Sequence, residues 1–67
     1  EYNKALPLFE YAITIDPSDP TINDHYGDVL WKTGKYMQAR YQWQKSLNLE
    51  PEKEQASIIN KKLLIGI

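Results

Sequence analysis

Cysteine is missing from the 67 residues. Its absence excludes a disulfide staple and any thiolate metal site, and it leaves the compartment open, with the cytoplasm as the default. A single histidine, His25, stands without a second histidine or a cysteine. Neither a metal ligand set nor a catalytic base with its partners can be assembled around it, so it is read as a surface residue. Ser18, Ser46 and Ser57 follow no nucleophile signature such as G-x-S-x-G, which argues against an enzyme active site. An excess of one charge is lacking too: eight basic residues face nine acidic ones, a net charge of −1. Nothing in that balance draws nucleic acid or an anionic membrane. No apolar run approaches the roughly 20 residues of a membrane-spanning helix, and no signal peptide is visible. The reading that remains uses no cofactor and no metal, and its partner is another protein or a peptide.

Helical periodicity fills most of what is present. Ala5, Leu6, Phe9, Ala12 and Ile13 share one face of a helix expected from Glu1 to about Asp16. Pro7 lies inside it, removes the hydrogen bond to the carbonyl of Asn3, and predicts a kinked or frayed first turn. Asp16-Pro17-Ser18-Asp19-Pro20 stops that helix and starts another, with Asp19 as cap and Pro20 at the first helical position. The second helix runs to about Thr33, with Ile22, Tyr26, Val29, Leu30 and Thr33 inward and Thr21, Asp24, Asp28 and Lys32 on another face. Gly34 ends it as a left-handed cap. A third helix, Lys35 to Asn48, carries Tyr36, Ala39, Trp43, Ser46 and Leu47 inward and leaves Arg40, Gln42, Gln44 and Lys45 solvated. A fourth is expected from Glu52 to about Ile65, acidic at its start and basic at Lys61 and Lys62. Its Ala56, Ile59 and Leu63 would cover the open end of the preceding helices.

The pattern is copied once. Tyr2, Ala5, Phe9, Ala12, Ile15 and Pro17 recur as Tyr36, Ala39, Trp43, Ser46, Leu49 and Pro51, each pair 34 residues apart. Small Gly27 and Ala39 sit where two helices would touch, with Tyr26, Trp31, Tyr36, Tyr41 and Trp43 filling beside them. A helix-turn-helix motif of this length has the tetratricopeptide period. The chain resembles a tetratricopeptide repeat (TPR) protein through Gly27, Leu30, Gly34, Tyr36, Ala39, Trp43, Leu47, Leu49 and Pro51. It departs from the family pattern at Asn23, where a large residue is usual, at Tyr26 for Leu, and at Ser46 for Ala. The wording G-D-V-L-W-K-x-G-K-x-x-x-A-R-x-Q-W also resembles the last repeat of bacterial TPR proteins.

The resemblance implies an all-α fold: four antiparallel helices forming part of a right-handed solenoid. Residues 1–17 would be the second helix of an incomplete repeat, 18–51 a complete repeat, and 52–67 a capping helix of the kind solenoids need for solubility. It also implies a non-catalytic protein-interaction module. The alternatives are a structural cap or oligomerising end of a larger solenoid, and a targeting module of an enzyme whose catalytic domain lies elsewhere. An RNA-binding helical repeat of nearly equal period is disfavoured by mid-helix Gly27, the L-x-L-x-P ending and the missing basic stripe.

In TPR proteins the first helices of successive repeats line a peptide groove. That correspondence makes Thr21, Asp24, Asp28, Trp31 and Lys32 the groove candidates. Two aspartates one turn apart suit a basic or amide-rich segment, whereas the bland reading is a solvated acidic face. Apolar residues near both ends (Leu6, Leu8, Phe9; Ile58, Leu64, Ile65, Ile67) predict homodimerisation or helix exchange through the terminal helices.

Overall fold

The computed structural model describes all 67 residues. It contains four α-helices and no strand: α1 (Tyr2–Ile15), α2 (Pro20–Lys32), α3 (Tyr36–Asn48) and α4 (Lys53–Ile65). Each helix packs on its neighbour in sequence, because the connections are too short for any other partner to be reached first.

Sequence punctuation accounts for the helix ends. The Asp19 carboxylate accepts from the backbone N–H groups of Thr21 (2.8 Å) and Ile22 (3.1 Å), satisfying two donors that the first turn of α2 leaves free. At the other end Gly34 has φ +85°. Its N–H reaches the Trp31 carbonyl at 3.0 Å, and the Lys35 N–H reaches Leu30 at 2.8 Å. This double closure is a Schellman motif, which calls for glycine at its left-handed position. Helix α3 ends differently. There Glu50 takes the left-handed position at φ +61°, with its N–H on the Leu47 carbonyl at 3.0 Å. Pro51 follows and has no N–H with which to make the second bond.

Pro7 does not fray α1. The helix runs through it without a break, and the N–H groups of Lys4 and Ala5 both reach the Glu1 carbonyl. The proline falls close enough to the helix start that few ladder bonds depend on the lost donor.

The crossing of α2 and α3 builds the core. Leu30, Ala39, Trp43 and Ile59 form one enclosed cluster, flanked by half-buried Leu6, Tyr26, Trp31, Leu47 and Leu63. Gly27 lets the helices close. A Cβ built there would lie 2.5 Å from Cδ1 and Nε1 of Trp43 and 3.1 Å from the Ala39 carbonyl oxygen. Of the five aromatic residues expected to fill this crossing, only Trp43 is fully enclosed, and Tyr36 and Tyr41 are exposed. Tyr36 lays its ring edge on Trp31 (centroids 4.6 Å), so its inward role is confined to that contact. Helix α1 lends Ala5, Leu6, Phe9, Ala12 and Ile13 as half-buried residues and has none fully buried.

Two polar residues stitch the turns to the core. Buried Asn23 donates from Nδ2 to the carbonyls of Pro17 (3.1 Å) and Asp19 (2.8 Å), which holds the α1–α2 connection against the side of α2. Buried Ser46 donates to the Pro20 carbonyl at 2.6 Å, tying the end of α3 to the start of α2. A large apolar residue at position 23 could not make the first tie, and alanine at 46 could not make the second.

Gly27→Ala gains about 1 kcal/mol of helix propensity, but the added methyl meets an immobile indole. Overpacking of this kind costs about 1–3 kcal/mol. The clash with the enclosed indole offsets the propensity gain, and urea denaturation followed by circular dichroism should show a net loss of up to about 2 kcal/mol.

Candidate functional site

The densest polar chemistry lies where side chains of α4, itself packed on α3, reach over to α2. Asp24 and Asp28 are one helical turn apart and project from the same face of α2. The Lys62 ammonium stands between them, donating at 2.8 Å to Oδ1 of Asp24 and at 2.8 Å to Oδ1 of Asp28. Gln55 Nε2 donates to the second oxygen of Asp24 at 3.0 Å, and Trp43 Nε1 donates to Asp28 Oδ1 at 3.0 Å. The ammonium also lies 5.7 Å from the centre of the Trp43 ring, within reach of a cation–π attraction. His25, on the outer side, places Nδ1 3.9 Å from Asp28 Oδ2. The side chains of Asp24 and Lys62 are only 5% and 12% exposed, and that of Asp28 is 27% exposed.

Two opposing influences act on Lys62. Burial, the largest, would lower its pKa, while the hydrogen bonds and charges of Asp24 and Asp28 raise it. The carboxylates prevail, and the ammonium is held above the ordinary lysine value of 10.5. Tyr26 is likewise raised above its ordinary 10.0, first by burial and then by the negative charge of Glu10.

This geometry changes the status of the five groove candidates. Asp24 and Asp28 do not stand on an open solvated face, because α4 covers them and Lys62 and Gln55 engage them. Trp31 is drawn into an aromatic stack with Trp43 (centroids 5.4 Å, planes 26° apart). Its outer surface meets Gly66, where any Cβ would collide with the indole. Thr21 remains exposed, with its hydroxyl 3.5 Å from Gln55 Oε1. Lys32 is exposed and reaches over the Tyr2 ring at 5.9 Å. The structure therefore places three of the set under α4 and its tail, leaves Thr21 exposed at the margin of that contact, and leaves Lys32 in solvent.

Gln55 and Lys62 belong to the site although a reading of α2 alone does not find them. The signal lay in the stride. Thr21 and Gln55, and Asp28 and Lys62, each stand 34 residues apart. An acidic residue and a basic one at the repeat spacing are charge partners if the α2-equivalent helices lie side by side. The surface holds no cavity of ligand size, no group of three metal-ligating residues, and no helix long and apolar enough to cross a membrane.

Removing the ammonium while keeping both carboxylates strands two charges against the indole. Breaking a fully buried pair costs about 3–5 kcal/mol. Partial hydration of Asp28 reduces this, so Lys62→Met should cost about 2–3 kcal/mol. A double-mutant cycle with Asp24→Asn should recover part of that loss. The pH dependence has a definite sign: a raised folded value means the stabilisation is complete below the ordinary lysine value and is lost as pH rises through the raised one. Thermal unfolding of the native chain should fall steeply above pH 10.5. In Lys62→Met only the decline belonging to the other titrating groups, Tyr26 among them, should remain. No family model, no curated protein and no solved structure matches this chain.

Proposed function

We propose that the chain is a non-catalytic protein-interaction module of TPR type. Residues 18–51 form its complete repeat, 1–17 the second helix of the repeat before, and 52–67 a cap, in a right-handed solenoid arrangement. The observation that carries this reading is the agreement of sequence stride and side-chain pairing. The 34-residue spacing that relates α1 to α3 in sequence also relates Thr21 to Gln55 and Asp28 to Lys62 across α2 and α4. Close approach at Gly27 and Ala39 supports it.

The reachable members of the groove set are Thr21 and Lys32, and an exposed lysine on that face suits a partner segment carrying carboxylate or amide groups. The Asp24–Asp28 pair, which alone would favour a basic segment, is neutralised in part by Lys62. Screening the chain against immobilised acidic, basic and apolar peptides tests the proposal. Lys32→Gln should weaken binding of the acidic class by up to about fivefold, the scale of one lost ion pair at a binding surface, with helix content by circular dichroism retained. Equal binding by the native and substituted chains across all three classes would sink it.

A purely structural cap is the second reading, and the cover that Lys62, Gln55 and Gly66 place over α2 favours it. Under that reading Lys32→Gln leaves peptide binding unchanged, while Lys62→Met still lowers stability.

A further inference from the structure

We infer that α4 is exchangeable between two copies of this chain, so that Lys62 of one copy seats between Asp24 and Asp28 of the other. This assembly does not depend on the peptide-binding reading, and it commits to one occupant for the α2–α3 face: the α4 helix of a second copy.

The hinge supplies the first observation. Between α3 and α4, Glu50 holds φ +61°, the only residue other than glycine with a positive φ. A side chain there is disfavoured by contact of its Cβ with the backbone. Pro51 adds a second constraint, because the residue before a proline is pushed toward extended backbone. The closed hinge therefore keeps Glu50 where neither preference places it. Opening the Leu49–Glu52 connection into an extended segment satisfies both, and strained short hinges favour exchange of the element they carry.

The mode of attachment supplies the second. Helix α4 has one fully buried residue, Ile59. Half-buried Leu63 flanks the same core and the helix packs on α3, and its hold on α2 is a set of discrete contacts: Lys62 on Asp24 and Asp28, Gln55 on Asp24, and Gly66 against Trp31. Every one of these is made by α4 or the residue just after it with α2 or α3. An α4 arriving from another copy brings the same donors at the same spacing, so the receiving face needs no new complementarity. Such a lightly buried helix also opens more readily than the α2–α3 pair.

The absence of cysteine makes the test specific. Thr21 and Gln55 lie next to each other across the α2–α4 contact, and neither is fully buried. Chains carrying Thr21→Cys alone and Gln55→Cys alone are unfolded together, refolded at millimolar concentration, and treated with a short bis-maleimide. The double variant serves as the control for reach within one chain. Exchange predicts a covalent heterodimer joining position 21 to position 55, identified by mass spectrometry of the digested band. Cross-linking only within the double variant, or only between like positions, overturns the proposal. Sedimentation of the unmodified chain from micromolar to millimolar concentration gives an independent outcome, and a monomer throughout also overturns it. Glu50→Gly relieves the hinge and should raise the dimer dissociation constant by about tenfold or more. An unchanged constant would remove hinge strain as the cause.

Discussion

The indole of Trp43 occupies the space that a side chain at position 27 would fill, and the rest of the molecule is arranged around that fact. One face of the ring lets α2 and α3 approach through Gly27, and Trp31 stacks on it. Its single polar atom, Nε1, donates to Asp28, and an enclosed indole needs such a partner. Asp28 thereby becomes a fixed acceptor rather than a free surface group, and Lys62 binds to the same oxygen. The apolar core and the polar clamp that seats α4 thus meet at one side chain. A change at Trp43 would therefore be felt on both sides of α2.

Much of the fold was legible in the sequence because its signals are local. Asp19 and Pro20 mark the start of α2, Gly34 its end, and the apolar spacings mark the inward faces. The structure agrees on four helices with bounds within a residue or two of those expected. The small residues Gly27 and Ala39, with Trp43 among the aromatics beside them, also marked the helix crossing that the structure shows. The misses are of another kind. Tyr36 and Tyr41 carry the same apolar weight as Trp43, and only the depth of the crossing decides that the indole is enclosed while the two phenols face water. Gln42, expected to be solvated, is half-buried with its side-chain oxygen unpaired.

The polar site was less legible because its meaning is not local. On α2 alone, Asp24 and Asp28 form an acidic stripe, and a stripe of that sort is normally a wetted surface. Their burial follows from α4, a helix whose own pattern is ambiguous. Ile58, Leu64 and Ile65 point outward, while Lys62, the residue that a pattern would leave in water, points in. The hydrocarbon stem of lysine explains how this is tolerated: it lies along apolar surface and carries the charge to two waiting acceptors. Asn23 follows the same logic at the other end of α2. Its buried amide is justified by two backbone carbonyls from the preceding turn, although its own oxygen finds no donor.

Ionic seating of α4 has a consequence that an apolar seat would not. Burying Ile58, Leu64 and Ile65 would hold the helix harder, but greasy contacts tolerate a shift of one turn or a rotation. A lysine that must reach two carboxylates at once, with Gln55 on the outer oxygen of one of them, admits a single register. Desolvating the three charges takes back much of what their attraction supplies, so the arrangement fixes position more than it adds stability. A chain of this size is already marginal, with about 60% of its unfolded surface buried. The helix seated by these specific polar contacts has one fully buried residue and opens readily, and Asp24, unlike the partly exposed Asp28, is uncovered only when it does.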